Sequence, residues 1–129
     1  YPFWGVCWGD LHSGIVHFTS DKDMTLFDFD QCGYGWFIFD IAKFLQVSVR
    51  TGMSKMVREA FMKGYQENKP ISDLEQTSLQ AFTQMAHIWM WAINITYSQR
   101  YNSCRLDNYY LRQRVEQLAR LHSHDWQLF

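Results

Sequence analysis

The stretch that decides the fold is Gly9-Asp10-Leu11-His12-Ser13-Gly14, followed by Ile15-Val16-His17-Phe18, the polar run Thr19-Ser20-Asp21-Lys22-Asp23, and Met24-Thr25-Leu26-Phe27-Asp28-Phe29-Asp30. The two apolar segments read as short strands, and the polar residues between them are turn material. A tight hairpin of this kind brings Asp10 and Asp28 to the same end. Two carboxylates so placed suit phosphoryl transfer. One orients and deprotonates an acceptor hydroxyl, while the other holds the metal that bridges the nucleotide phosphates.

Outward from this block the style of the chain changes. The first forty residues hold Gly5, Gly9, Gly14, Gly33 and Gly35 of the seven glycines. Beyond them the pattern is helical. Phe39 to Val47 repeats its apolar positions at helical spacing and stops near Gly52. A second helix follows Ser54, presents Met56, Val57, Ala60, Phe61 and Tyr65 on one face, and ends at Asn68-Lys69-Pro70. Ser72-Asp73-Leu74-Glu75 is a capping box that opens a long helix towards Tyr101. Its apolar positions are Leu79, Phe82, Met85, Ala86, Trp89, Ala92, Ile93 and Thr96. A last helix takes Asp107 as its N-cap and runs through Leu111, Val115, Leu118 and Leu121. The expected architecture is therefore α+β and mostly α: one hairpin, then four helices in a single unit.

Composition narrows the function classes. The 129 residues are 47% hydrophobic and 18% aromatic, far richer than a disordered chain, so a packed core is expected. The aromatic excess implies either a pocket lined with Trp and Tyr or a surface that faces another lobe. Net charge is −1, from 12 Lys and Arg against 13 Asp and Glu, which leaves no electrostatic footprint for nucleic acid. Arg100, Arg105, Arg112, Arg114 and Arg120 gather late but alternate with acids, as on a solvated helix face. No apolar run is long enough to span a membrane, and the first residues do not resemble a leader peptide. Cys7, Cys32 and Cys104 are odd in number and widely spaced, which suits a reducing compartment, and the cytoplasm is the expected location.

Taken together, Gly-Asp-Leu-His-x-Gly, an apolar hairpin, Asp-Phe-Asp, Gly-Tyr-Gly and then Phe-Asp-Ile-Ala at Phe39 to Ala42 resemble the aminoglycoside phosphotransferase and choline kinase-like family. These are small-molecule kinases with a protein-kinase-like fold. The matching block runs from Gly9 to Leu45, and the helical remainder looks like the family's C-terminal lobe. The resemblance implies ATP and Mg2+ as cofactors and the hydroxyl of a small molecule as acceptor, such as an aminoglycoside, choline or homoserine. It makes Asp10 the catalytic carboxylate and Asp28 the metal ligand, with Asp30 beside it. His12 becomes a loop-ordering group, and Asp40 a carboxylate that braces the catalytic loop, which agrees with an acid in the first turn of a helix.

Two positions depart from the family pattern. Trp8 stands where the family has His, which should perturb the loop. Ile15 stands where the family has an Asn that binds Mg2+, and a hydrocarbon cannot ligate a hard cation. The family's nucleotide-binding N-terminal lobe has no counterpart in these residues. The resemblance therefore implies a catalytic and substrate-binding lobe, 1–129, that is inactive by itself. The alternative is a degenerate kinase lobe that acts as a protein-interaction domain, through self-association or against a missing lobe.

Other candidate constellations are weaker. Cys7, His12 and His17 lack the paired spacing of a zinc site, and His122, His124 and Asp125 read as a frayed helix end. No spacing suggests a Ser-His-Asp triad. On the long helix, Trp89 shares the apolar stripe and reads as core, whereas Trp91 falls off it and is the better candidate for touching substrate. Such an aromatic wall would accept a cation.

Overall fold

A computed structural model of the chain describes residues 3–101, 107–120 and 128–129. Four helices follow a small strand region: α1 (Phe37–Arg50), α2 (Lys55–Asn68), α3 (Asp73–Tyr101) and α4 (Asn108–Arg120). The expected ends at Lys69-Pro70 and Gly52 hold, and α1 starts two residues earlier than the sequence pattern suggests. The end of the last helix at Leu121, the His122-His124-Asp125 group and Cys104 lie outside the described residues.

The strand region holds two antiparallel pairs instead of one hairpin. The expected hairpin is present as β2 (Val16–Phe18) and β3 (Met24–Leu26), in register Val16↔Leu26, His17↔Thr25 and Phe18↔Met24. It is shorter than expected because Ser13–Ile15 winds into a single 3-10 turn first. The Ile15 carbonyl nevertheless accepts from the Phe27 amide at 2.9 Å and extends the ladder. The second pair, β1 (Trp4–Cys7) with β4 (Gly33–Trp36), was not anticipated. Two four-residue strands that hold three glycines between them carry almost no periodic signal. Gly5 lies opposite Gly35, and a Cβ on Gly5 would collide with the Phe37 ring, so the pair can lie flat against the start of α1.

Helix α1 is the centre of the molecule. Ile38, Ile41, Ala42 and Leu45 form its apolar stripe and meet Met62 of α2, Leu79 of α3 and Leu128. Phe44 stacks on Phe61 with ring centres 3.9 Å apart. Its other faces are covered as well, so Lys43, Gln46 and Ser48 are buried. Arg58 of α2 ties the C-terminal segment down, donating from Nε to the Leu128 carbonyl at 2.8 Å and from Nη1 to the Met53 carbonyl at 2.6 Å.

Both predicted caps form. Ser72 Oγ accepts from the Glu75 amide at 3.3 Å, and Glu75 Oε2 accepts from the Ser72 amide at 2.9 Å. Asp107 Oδ1 accepts from the Tyr110 amide at 2.7 Å. The buried stripe of α3 departs from expectation. Leu79, Thr83, Ala86, His87 and Trp91 are buried, while Met85 and Trp89 are 46% and 51% exposed. Two adjacent stripes of this helix are apolar, and the one packed on α1 is not the more hydrophobic. The other walls an open cleft. Arg114 likewise differs from a solvated charge: its guanidinium lies 4.7 Å from the Tyr110 ring and 5.9 Å from that of Trp91. No helix is long and apolar enough to cross a membrane among the described residues.

Candidate active site

The loop between β1 and the 3-10 turn, residues 8–12, carries Asp10 and is gripped from α1. Asp40, in the first turn of that helix, accepts from the Trp8 amide at Oδ2 (2.7 Å) and from the Gly9 amide at Oδ1 (2.8 Å). One carboxylate thereby satisfies two successive backbone donors. Gly9 sits at φ +82°, and a Cβ there would press on the Gln31 carbonyl oxygen, so the turn before Asp10 admits only glycine without strain.

Asp10 divides its two oxygens between two environments. Oδ1 faces inward and meets Lys43 Nζ at 3.0 Å. Oδ2 accepts from Gln31 Nε2 at 3.2 Å and lies 3.9 Å from His12 Nε2. His12 Nδ1 accepts from the Gly14 amide at 3.0 Å, which in the neutral ring leaves the proton on Nε2, the nitrogen that faces Asp10. Lys43 and Gln31 escaped the sequence reading. The signal for Lys43 was a lone cation inside the apolar run Ile41 to Leu45, one turn after Asp40. Nothing marked Gln31.

Trp8 joins the two acidic segments. Its indole Nε1 donates to the Asp28 carbonyl at 2.8 Å, and its ring lies on Phe29 with centres 4.3 Å apart. The residue expected to perturb the loop instead links it to Asp-Phe-Asp. Asp28 adopts φ 58°, the sole positive value among the described residues other than glycine. Such conformations persist only where the surroundings hold them.

A cleft of about 570 Å³ opens beside this loop. Gly9, Asp30 and Gln31 border it, with Trp4, Tyr34 and Trp36 from the β1–β4 pair and Phe82, Met85 and Trp89 from α3. Trp89 Nε1 donates to Gln31 Oε1 at 3.4 Å, so α3 touches the same glutamine that touches Asp10. The expectations for the two tryptophans are reversed: Trp89, read as core, lines the cleft. Trp91, read as the substrate contact, is 7% exposed and packs edge-on to His87 at 4.5 Å. The reason is the choice of packed stripe on α3 described above.

The donors fit a magnesium ion held only in part by protein. Asp28 and Asp30 are exposed carboxylates. Ile15 is 4% exposed and offers a hydrocarbon. No group of three or more His, Cys, Asp or Glu side chains gathers among the described residues. Magnesium keeps several waters and commonly takes one or two carboxylates plus substrate phosphates. This donor set therefore suits an ion that arrives with a nucleotide. Burial, aided by Asp40 and Cys32, pushes the Cys7 thiol up to about 11, the opposite of what a metal-binding thiolate needs.

A family model described as the phosphotransferase enzyme family matches residues 2–79, which contain the loop, both acidic segments and all of α1 and α2. The chain belongs to the phosphotransferase enzyme family. It is 53% identical over 128 residues to an uncharacterized protein of Synechocystis, covering 99% of this chain and 36% of that protein. It is 26% identical over 99 residues to the amicoumacin kinase of Bacillus subtilis, covering 70% of this chain and 29% of the kinase. Among solved structures, the amicoumacin kinase hAmiN in complex with AMP-PNP, Ca2+ and Ami superposes with a TM-score of 0.66 at 24% identity. That match covers 97% of this chain and 38% of the other. The fold is thus the C-terminal lobe of a kinase-like phosphotransferase, and the chain spans about a third of the length of the relatives it matches.

Proposed function

We propose that this phosphotransferase lobe transfers the γ-phosphoryl group of ATP to a hydroxyl of a small molecule, with Asp10 as the general base. The observation that carries the reading is Asp10 itself. One of its oxygens is locked against Lys43, the other is turned to Gln31 beside the cleft, and the chain segment of Asp28 is bonded to the same loop. The cleft walled by Trp4, Trp36 and Trp89 would receive the acceptor, and Asp10 Oδ2 would align its hydroxyl and take its proton. Asp28 and Asp30 would hold magnesium, which would neutralise charge on the phosphates when bound. The aromatic walls would give the acceptor an apolar surface to pack on, and Gln31 would keep the accepting oxygen oriented until the acceptor arrives.

In this reading the isolated chain does not turn over ATP, because the part that presents the nucleotide lies outside it. The test compares this chain alone with a protein in which it replaces the matching third of the Synechocystis relative. Both are assayed for ATP-dependent phosphorylation of aminoglycosides, choline and homoserine. The exchange protein should transfer phosphate and lose about a hundredfold or more of its rate in Asp10→Asn. The chain alone should be silent, and should give no calorimetric signal with magnesium and an ATP analogue. Turnover that survives Asp10→Asn would sink the assignment.

A second reading, an interaction domain without catalysis, draws on the exposed aromatics Trp4, Phe27, Phe29, Tyr34 and Trp36, which are 43–78% exposed. Sedimentation as a micromolar monomer that binds no hydrophobic dye would dispose of it.

A further inference from the structure

The side chain of Lys43 is wholly buried, and its ammonium meets one carboxylate, that of Asp10. Lysines are almost never fully buried unless paired. A buried ion pair contributes little compared with apolar residues of the same volume, because two charges must be stripped of water. Burial accordingly draws the Lys43 ammonium below its ordinary range, and Arg50 adds to this, while contact with Asp10 opposes both. A methionine at this place would fill the same space between α1 and the loop but would leave Asp10 Oδ1 buried without its cation. What the methionine would lack is a hold on Asp10.

The contact pattern specifies that hold. Lys43 Nζ approaches Asp10 Oδ1 at 3.0 Å, and neither atom has a hydrogen bond to any other group among the described residues. The other oxygen, Oδ2, meets weaker and displaceable neighbours, Gln31 at 3.2 Å and His12 at 3.9 Å, and Gln31 borders the cleft. The lysine stands one turn after Asp40, so a single helix supplies the anion that fixes the loop's amides and the cation that fixes its carboxylate.

Resting on the phosphotransfer reading above, we propose that Lys43 is the positioning residue of the site. It pins Oδ1 of Asp10 from beneath, so that Oδ2 alone is presented to the acceptor hydroxyl. In the step it serves, the hydroxyl proton passes to Oδ2 and the freed electron pair of the acceptor oxygen forms the new bond to phosphorus. The bond from the γ-phosphorus to the bridging oxygen breaks, and its electrons leave with ADP. Lys43 gives and takes no proton; it keeps the carboxylate from rotating.

Two measurements test this with Lys43→Met, Lys43→Arg, Asp10→Asn and the double variant Asp10→Asn/Lys43→Met. The first is the unfolding of the chain alone. Asp10→Asn strands a buried ammonium and should lower the unfolding temperature, and adding Lys43→Met should restore it. Additive effects overturn the proposal whatever the activity. The second is kinetic, in whichever form transfers phosphate. Lys43→Met should lower kcat by about tenfold to a hundredfold with KM for nucleotide and acceptor nearly unchanged. Lys43→Arg should recover part of the loss, and Lys43→Met should add nothing in the Asp10→Asn background. A folded Lys43→Met protein with full kcat, or one that loses as much again when Asp10 is already Asn, overturns it. Absence of transfer in the unsubstituted protein, with the unfolding effects still coupled, removes the phosphotransfer reading on which the proposal stands.

Discussion

Gly9 and His87 are the two residues whose local chemistry has the plainest consequences. At Gly9 the backbone requires φ +82° and the Gln31 carbonyl leaves no room for a methyl group. Gly9→Ala should therefore destabilise the chain by about 1–3 kcal/mol in urea unfolding. Gly33→Ala, where a Cβ would meet open space, should change stability far less. His87 is 2% exposed, and burial first, then Arg50, Arg114 and Lys43, lowers its imidazole from 6.5 to about 4. Between those values the unfolded chain binds a proton that the folded chain refuses. Stability should then rise with pH across that window, by up to about 1.4 kcal/mol per unit, and level off above it. His87→Gln should flatten that slope in denaturant titrations repeated from pH 4 to 7. At this scale the sequence was most legible where a residue type has one dominant use. Asp10, Asp28 and Asp40 stood out as acids in a spacing that few other folds explain. Lys43 and Gln31 did not, because their roles depend on which atoms face them across 33 and 21 positions of chain.

Among the elements, capping chemistry was readable because it is local. Ser72-Asp73-Leu74-Glu75 announces the start of α3, and the reciprocal bonds at 3.3 and 2.9 Å are the ones such a box makes. Ser72→Ala should cost about 1 kcal/mol, read as a lower unfolding midpoint with unchanged denaturant slope. The pairing of β1 with β4 was not readable, since four-residue strands take their stability from what lies beneath them. Nor was the buried face of α3. Thr83, Ala86 and His87 are small or polar and are buried, whereas Met85 and Trp89 are large and stay open to the cleft, with Phe82 shared between cleft and core. Hydrophobicity alone favours the wrong stripe wherever a helix serves both a core and a binding wall.

For the molecule as a whole, the hairpin-then-helices order followed from the sequence, because periodicity and caps agreed along most of the chain. What escaped is long-range. The loop of Asp10, the segment of Asp28 and the wall of α3 meet through Trp8, Gln31 and Trp89, none of which belongs to a periodic pattern. The Asp40 clasp on the Trp8 and Gly9 amides carries one more consequence, for motion. An eight-to-twelve loop of this length would ordinarily exchange its amide hydrogens with solvent almost freely. Here both amides are held by the Asp40 carboxylate, which sits in the first turn of the most buried helix of the chain. Their hydrogen–deuterium exchange should therefore be slow, and should approach that of unprotected loop amides in Asp40→Ala. The segment that bears Asp10 would thus open less readily than an unanchored loop of the same length.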